Sequence, residues 1–326
     1  MIITRTPLRI SIGGGGTDLP SFYELEGGYF ISAAITKYVY LGINRTFTND
    51  YFLKYSALER VADISLIEHP LIREAMRLRE VEPSVELVSL ADIPAGTGLG
   101  SSGSFTVGLL RAIYAFQHHH VSPATLAEEA CRIEIDILGS PVGKQDQYIA
   151  AFGGLTAFEI APDGSVDAQP LAISRETRHD LEDNLLMFFT GFSRAAESVL
   201  TDQRNRSVAG DPVMLENLRF VKETGREIAR RLERGDVRGF AELMHEHWVR
   251  KRERSRGMSN PDIDRWYDLA LENGAVGGKL VGAGNGGFLL FYADDRDAVR
   301  RAMDREGLIE LRFGFDHDGS AVTARG

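Results

Sequence analysis

The chain has 326 residues, 43% hydrophobic and 26% charged, which is ordinary for a globular protein with room for two domains. Its formal net charge of −10 argues against broad nucleic-acid binding and against docking on anionic lipid. The only cysteine, Cys131, excludes an internal disulfide and fits a cytoplasmic protein. The N-terminus lacks the apolar core of a signal peptide, and no apolar run approaches the length of a membrane-spanning helix.

Hydrophobic periodicity predicts an α+β order of elements. Strands are predicted at residues 2–4, 9–12, 38–44, 85–90 and 155–160. Helices are predicted at residues 66–79, 104–116 and 123–138, the last with Ser122 as N-cap. After about residue 180 the order becomes a strand at 185–190, helices at 212–233, 237–252 and 261–273, a strand at 287–292, a helix at 295–305 and a strand at 308–313. This change predicts a boundary near residue 178, between domains 1–178 and 179–326.

The most informative stretch is Pro94-Ala-Gly-Thr-Gly-Leu-Gly-Ser-Ser-Gly-Ser-Phe105. Its glycines leave backbone amides accessible to a large anion, and the helix predicted to follow would direct its N-terminus at the same anion. An ordinary glycine-rich turn is the alternative. On the phosphate-binding interpretation, the nucleotide contacts are Gly96, Gly98, Leu99, Gly100, Ser101, Ser102, Gly103 and Ser104.

Other glycine-loop motifs fit less well. Gly98 to Gly103 matches the dinucleotide pattern, but no strand runs directly into the loop and the first downstream acid is Glu128. Gly139 to Lys144 is one residue short of a P-loop, and Gln145 stands where that motif requires Ser or Thr. The His-Arg-Asp and Asp-Phe-Gly triplets of protein kinases do not occur in the chain.

The stretch from Pro94 resembles the phosphate loop of the GHMP kinases, the superfamily of galactokinase, homoserine kinase, mevalonate kinase and phosphomevalonate kinase. Residues 6–18, Thr-Pro-Leu-Arg-Ile-Ser-Ile-Gly-Gly-Gly-Gly-Thr-Asp, resemble the first motif of galactokinases without a gap. Residues 278–287 resemble the third motif, a glycine loop that backs the phosphate loop. The resemblance implies an ATP- and Mg²⁺-dependent enzyme with an N-terminal ribosomal-protein-S5-like domain and a C-terminal ferredoxin-like α/β sandwich domain.

The resemblance also implies two catalytic residues. Asp146, in a segment similar to the galactokinase Gly-x-x-Asp-Gln, would orient or deprotonate the acceptor hydroxyl. Arg9 falls on the arginine of the first motif and would keep Asp146 ionised while offsetting charge on the γ-phosphate. The alternatives are that Asp146 caps a helix-like run at 147–152 and that Arg9 projects into solvent.

Glu134 precedes Asp146 at the spacing of the galactokinase magnesium ligand, so the resemblance implies that Glu134 and Ser102 bind Mg²⁺. A solvated helix charge is the alternative for Glu134, and is the interpretation retained for Asp136. The resemblance assigns the sugar to Asp18, with Thr17, Gly15, Gly16 and Gly284 beside it. Gly15 and Gly16 replace a Glu and a His of galactokinases, which leaves room for a larger sugar.

The first motif and the segment from Ser259 are similar to the D-glycero-D-manno-heptose 7-phosphate kinase subgroup. This implies phosphorylation of a sugar phosphate at its anomeric hydroxyl, with a fucose- or galactose-type kinase as the alternative and a nonenzymatic kinase-fold binder as a minor one. A distal phosphate requires local positive charge, for which Lys251, with Arg254 on the same helix face, and Arg194 are the candidates. The sequence leaves oligomeric state open, with a homodimer among the alternatives.

Overall fold

Two β-sheets organise the part of the chain that the structure, a computed structural model, describes: residues 1–191, 197–254, 257–282, 284 and 286–326. The strands are β1 (Ile2–Gly13), β2 (Gly28–Arg45), β3 (Tyr51–Lys54), β4 (Leu58–Val61), β5 (Val85–Ala91), β6 (Leu155–Ile160), β7 (Val166–Pro170), β8 (Leu185–Phe189), β9 (Ala275–Val281), β10 (Phe288–Ala293), β11 (Ile309–Glu310) and β12 (Ala321–Arg325). The first sheet has the order β12-β1-β2-β5-β3-β4, with β6 on β2 and β7 on β6, and the second has the order β11-β8-β10-β9.

Helices cover both sheets. They are α1 (Pro20–Glu26), α2 (Pro70–Leu78), α3 (Ser101–Phe116), α4 (Pro123–Cys131), α5 (Gln145–Phe152), α6 (Arg175–Asn184), α7 (Glu197–Val208), α8 (Pro212–Glu233), α9 (Val237–Arg254), α10 (Pro261–Glu272) and α11 (Arg296–Arg305). Helices α3 and α8 pack on β1 and β2, and α9 packs on α8 and β9. Among the helices described, none is both long and apolar enough to cross a membrane.

The central strands differ from their predicted bounds. The two strands predicted at residues 2–4 and 9–12 form one strand, β1, with an irregular register next to Pro7. Proline cannot donate to the ladder and is tolerated at such irregularities. Strand β2 begins ten residues before the predicted start at residue 38, since its first part pairs with β6 and its last part with β5.

Several helix and strand ends were also predicted incorrectly. The helix predicted from residue 66 begins at Pro70, because proline at the first helical position lacks only an amide that the helix would leave unpaired. The helix predicted at 123–138 is capped by Ser122 as expected, but its α-helical part ends at Cys131 and a π-helical turn, Arg132–Ile137, follows. The strand predicted at 308–313 is reduced to β11.

The second sheet separates two apolar cores. On β8, Leu186 and Phe188 face a core formed with α10 and α11, while Met187 faces the larger core shared with the first sheet. This alternation is the period-2 pattern of a strand buried on both faces. The chain order puts β1 to β7 in the first sheet and β8 to β11 in the second, but β12 returns to pair with β1. The boundary at residue 178 remains a prediction.

Candidate active site

A cavity of about 740 Å³ lies where the three glycine motifs meet. Its wall includes Gly15 and Gly16 after β1, Gly98 and Gly100 before α3, and Gly282 after β9. Segments that are far apart in the sequence therefore line one cavity.

The loop before α3 has the geometry of an anion site. Gly96, Gly98 and Gly100 adopt positive φ angles of 79°, 85° and 77°, which glycine accepts without steric cost. Helix α3 begins at Ser101, earlier than predicted, so its unpaired N-terminal amides lie at the end of this loop. The Ser101 hydroxyl oxygen is buried at the cavity wall and has no hydrogen-bond partner among the described residues. An orphaned hydroxyl beside a helix N-terminus fits a phosphate oxygen.

The third glycine motif backs this loop directly, as the resemblance predicts. A Cβ on Gly282 would lie 2.7 Å from the Gly98 Cα, and one on Gly98 would lie 2.8 Å from the Val281 carbonyl oxygen. A Cβ on Gly287 would lie 2.3 Å from the Thr97 carbonyl oxygen. These distances leave no room for side chains, so the two loops can pack only as glycine backbone against backbone.

Asp146 and Arg9 form an ion pair at the cavity wall. The Arg9 Nε donates to Asp146 Oδ1 at 2.7 Å, and its Nη1 donates to the Gly98 carbonyl oxygen at 2.5 Å. Arg9 is only 6% exposed, which excludes the solvent-exposed alternative. The N-cap of α5 is Lys144, and Asp146 lies within the first turn. The capping alternative for Asp146 is therefore wrong, and its carboxylate is directed to Arg9.

Asp18 presents a second carboxylate to the same cavity. The backbone amides of Gly16 and Gln145 donate to its two oxygens at 2.8 and 3.2 Å. Burial raises the pKa of Asp18, the two amides oppose that shift, and the charge of Asp146 adds to it. A Cβ on Gly143 would lie 2.0 Å from Asp18 Oδ2, so glycine at position 143 leaves the space in which this carboxylate lies.

Glu134 lies on the π-helical turn and is 2% exposed, so that it is buried rather than part of the cavity lining. The Gln147 Nε2 donates to its carboxylate at 2.9 Å, and the nearby Ser102 hydroxyl opposes the rise in its pKa. Burial raises the pKa of Glu134 to about 7. The solvated-charge alternative is therefore wrong for Glu134, whereas Asp136 is exposed as expected. A carboxylate with a hydroxyl nearby fits Mg²⁺, which takes few protein oxygens and completes its shell with water and phosphate.

The remaining candidate residues do not all face the cavity. Ser104 and Thr17 are fully buried, and their hydroxyls donate to backbone carbonyl oxygens rather than into the cavity. Gly284 lies against Met258. Lys251 lines the cavity, whereas Arg194 and the Arg254 side chain lie outside the described part of the chain.

Two family models match the chain: the GHMP kinases N terminal domain at residues 65–154 and the GHMP kinases C terminal model at residues 228–309. Together they span more than half of the sequence. The chain belongs to the GHMP kinases. It is accordingly an ATP-dependent phosphotransferase that acts on a hydroxyl group.

Individual relatives extend over nearly the whole chain. The D-glycero-alpha-D-manno-heptose 7-phosphate kinase of Campylobacter jejuni is 28% identical over 98% of this chain and 97% of its own length. The galactokinase of Pyrococcus furiosus is 22% identical over 96% and 95% of the two chains. The crystal structure of a D-glycero-D-manno-heptose 1-phosphate kinase from Bacteriodes thetaiotaomicron has a TM-score of 0.82 at 25% identity and covers all of both chains. These similarities support a sugar kinase within the family.

This GHMP kinase also has cavity residues that sequence reasoning did not find. Beside the phosphate loop, the His69 ring lies between the rings of Tyr55 and Phe105, with centroids 4.7 and 5.2 Å away. The exposed Leu90 lines the same end. Other parts of the wall are lined by Gln145, Gln203, His247 and Lys279. No motif or regular spacing in the sequence points to these residues, because they reach the cavity from different elements of the fold.

Proposed function

We propose that this enzyme uses ATP to phosphorylate the anomeric hydroxyl of D-glycero-D-manno-heptose 7-phosphate, giving the heptose 1,7-bisphosphate. The observation that carries the proposal is the Arg9–Asp146 pair, which lies between the phosphate loop and Asp18 on one cavity wall. Phosphoryl transfer needs a held triphosphate, positive charge near the transferred group and an oriented hydroxyl. The phosphate loop, Arg9 and Asp146 supply these in turn.

In the reaction, the acceptor oxygen attacks the γ-phosphorus of ATP as the bond to the β–γ bridging oxygen breaks, and that electron pair leaves with ADP. The acceptor proton passes to the Asp146 carboxylate late in the transfer, so that Asp146 acts first by positioning the hydroxyl. Arg9 holds the Asp146 carboxylate in place through its Nε and is anchored to the phosphate loop through its Nη1. Asp18 accepts hydrogen bonds from sugar hydroxyls.

Glu134 and Ser102 would hold Mg²⁺, which offsets charge on the phosphates when it is bound. The buried Gln147 holds the Glu134 carboxylate in place. We assign the adenine to the end of the cavity lined by Tyr55, Phe105 and Leu90, because an aromatic and apolar pocket next to a phosphate loop suits a flat base.

The heptose is favoured over galactose by two features. Gly15 and Gly16 line the wall near Asp18 with backbone alone, where the galactokinase motif carries a Glu and a His side chain. The Campylobacter relative named for heptose 7-phosphate also matches at higher identity than the Pyrococcus galactokinase. A fucose- or galactose-type kinase remains the second candidate because the galactokinase similarity spans nearly the whole chain.

The test is ADP release with Mg²⁺ and ATP across heptose 7-phosphate, heptose 1-phosphate, unphosphorylated heptose, fucose and galactose. Phosphorus NMR of the product then identifies the phosphorylated carbon. We expect heptose 7-phosphate to give the highest kcat/KM and a new resonance at the anomeric position. A higher kcat/KM for galactose or fucose, or a new phosphate elsewhere on the heptose, would reject the proposal.

A further inference from the structure

A second, smaller cavity of about 380 Å³ lies next to the segment that carries Asp146. The chain runs between the two cavities here, because Gly143, Gln145 and Asp146 line the larger one and Lys144 lines the smaller one. Lys144 also ends the segment that is one residue short of a P-loop. Its side chain reaches the smaller cavity rather than the phosphate loop, which excludes the phosphate-binding role of a P-loop lysine.

The Lys144 ammonium group is enclosed by partners from several elements of the fold. Its Nζ donates to both carboxylate oxygens of Glu128 on α4, at 3.0 and 3.1 Å, and to the Gly164 carbonyl oxygen, between β6 and β7, at 2.7 Å. It also lies 5.9 Å from the ring centroids of Tyr23 and Tyr148, within the range of a cation–π interaction. Lys144 is 7% exposed, and a lysine is rarely buried to this extent unless its charge is paired. These partners hold the side chain in one place.

Glu128 fastens α5 to α4 at two points. It accepts from the Lys144 Nζ, and its Oε1 also accepts a hydrogen bond from the Tyr148 hydroxyl. Lys144 is the N-cap of α5 and Tyr148 follows it by four residues, so the two side chains lie one turn apart on the same face of the helix. The exposed Glu128 therefore holds the whole first turn of α5.

That first turn also holds the two carboxylates of the larger cavity. The backbone amides of Lys144 and Gln145 donate to the Asp18 carbonyl oxygen and to its Oδ2, each at 3.2 Å. Amides at a helix N-terminus have no partner within the helix, and the Lys144 side chain forms no cap, so Asp18 takes the place of a capping residue. Asp146 is the next residue in the turn and pairs with Arg9.

Lys144 thus connects the two cavities through one residue. Its side chain fixes α5 to α4 and to the turn between β6 and β7, while its backbone amide fixes α5 to Asp18. A shift of this turn would move the carboxylates of Asp18 and Asp146 together. A displacement of about 1 Å in an active site can lower a rate by about 100-fold.

We propose that Lys144 is a positioning residue for the phosphoryl transfer, because its ion pair with Glu128 fixes the turn that sets Asp146 and Asp18 relative to the acceptor sugar. The inference rests on the proposed function, in which Asp146 receives the acceptor hydroxyl and Asp18 binds the sugar. The phosphate loop precedes α3 and is not part of this turn, so the effect falls on the sugar and on the chemical step rather than on ATP.

Steady-state kinetics test the proposal with whichever sugar of the panel above gives the wild type its highest kcat/KM. Lys144→Met keeps much of the volume of the lysine stem and removes its charge. We expect kcat/KM for the sugar to fall roughly 10- to 100-fold, while the KM for ATP stays near the wild-type value. Lys144→Arg keeps the charge, and the smaller cavity has room for a guanidinium, so this variant should recover most of the loss.

Two further variants separate the ion pair from a general loss of stability. Adding Glu128→Gln to Lys144→Met should cause little further loss, because the pair is already broken. Arg300→Met is the matched control. The Arg300 Nε donates to both carboxylate oxygens of Glu310 at 3.0 and 3.1 Å, and Arg300 lines neither cavity. Its substitution should leave both KM values and kcat unchanged.

Hydrogen–deuterium exchange of the ligand-free protein gives a second readout that does not depend on turnover. Loss of the anchor should speed exchange of the backbone amides of residues 143–148 in Lys144→Met, and the amides of α3 and of the second sheet should exchange as in the wild type. Arg300→Met should leave exchange at residues 143–148 unchanged.

Three results have different consequences. Wild-type kinetics and wild-type exchange in Lys144→Met would overturn the positioning role. An equal rise in the KM values for sugar and ATP, with faster exchange in every helix, would show that Lys144 only stabilises the fold and would overturn it too. Absence of turnover by the wild type with every sugar tested would instead reject the proposed function. In that case faster exchange confined to residues 143–148 would still support the anchoring of α5 by Lys144, and unchanged exchange would overturn it.

Discussion

At Asp146, one carboxylate pairs with Arg9 of the first motif and, in the proposed mechanism, also accepts from the acceptor hydroxyl. Asp146→Asn keeps the shape and still offers an oxygen to Arg9, but it removes the charge and the proton acceptor. We expect kcat to fall by about 10²- to 10⁴-fold, the range for a lost general base. The dissociation constant for ATP should stay near the wild-type value, because Asp146 is not one of the proposed nucleotide contacts.

Steady-state kinetics and calorimetric titration with ATP measure the two quantities. Asp136→Asn is the matched control, since Asp136 is an exposed aspartate on the π-helical turn. Near-normal turnover in the Asp146 variant would remove this residue from the mechanism.

Gly143 determines whether Asp18 can occupy its position. In Gly143→Ala, the new Cβ would lie 2.0 Å from Asp18 Oδ2 and would force the carboxylate away. We expect sugar binding to weaken by about 1.5 to 3 kcal/mol, as for a lost hydrogen bond to a charged group. The KM for the sugar reports this loss, and the KM for ATP should change little.

Gly42→Ala is the control for that substitution, because a Cβ on Gly42 meets nothing within 4 Å. It should behave as the wild type in both KM values. An unchanged sugar KM in Gly143→Ala would mean that Asp18 does not bind the sugar.

Motif comparison selected Arg9, Asp18, Glu134 and Asp146 as candidates, because each lies at a fixed offset inside a recognisable segment. It could not identify Gln203, His247 or Lys279 as cavity residues. Their approach to the cavity depends on how α7, α9 and β9 pack, and that packing leaves no periodic or spacing signal in the sequence.

At the scale of single elements, the hydrophobic periodicity did not predict the π-helical turn after α4, which contains Glu134. The predicted helix at 123–138 is continuous in its apolar pattern, but the backbone widens at residues 132–137. Such turns are frequent at functional sites, and this one presents Glu134 to Ser102 and Gln147. Because one extra residue per turn hardly changes the hydrophobic pattern, sequence alone gives the helix but not the turn.

Helix α2 supplies a pH-dependent element next to the proposed adenine pocket. Its N-cap is His69, whose Nδ1 accepts from the Ile72 amide at 3.5 Å. Burial lowers the pKa of His69, although the nearby Glu59 carboxylate opposes the shift. The unfolded chain therefore takes up the proton first as pH falls. The stability that neutral His69 contributes is present above about pH 6.5 and is lost as pH falls from there through the lowered folded pKa.

Urea unfolding of the wild type and His69→Asn from about pH 7.5 to about pH 5 measures this contribution. Asparagine retains an N-cap acceptor and does not titrate. Over the titration range the wild type should lose stability faster than the variant, by up to about 1.4 kcal/mol per pH unit for one proton. Parallel stability curves for the two proteins would exclude His69 as the titrating group.

At the scale of the whole molecule, the predicted α+β class and the GHMP kinase fold are confirmed. The return of β12 to β1 was not predicted. Ile2 pairs with Arg325, and a contact between the two ends of the chain has no local signature. The small side chains of β12, Ala-Val-Thr-Ala-Arg, also hid it, because an edge strand with half-buried and exposed residues lacks a strong apolar alternation.

The loop that precedes α3 and the loop that follows β9 of the second sheet approach each other closely at Gly98 and Gly282. Gly282→Ala would place a Cβ 2.7 Å from the Gly98 Cα at a φ of 90°, so the third motif would have to move away from the phosphate loop. The phosphate loop would then lose its backing. We expect the dissociation constant for a nonhydrolysable ATP analogue to rise by about tenfold or more, which corresponds to about 1.4 kcal/mol.

Gly307→Ala separates this contact from backbone strain. Gly307 has a similar φ of 76°, but a Cβ there meets nothing within 4 Å. Its substitution should lower the free energy of unfolding by about 1 to 2 kcal/mol, because alanine is strained in the left-handed conformation. It should leave nucleotide affinity unchanged. Calorimetry with the analogue and urea unfolding, applied to both variants, measure affinity and stability separately. If Gly282→Ala binds the analogue as the wild type does, the backing of one loop by the other does not maintain the nucleotide site, and the glycine at 282 serves folding alone.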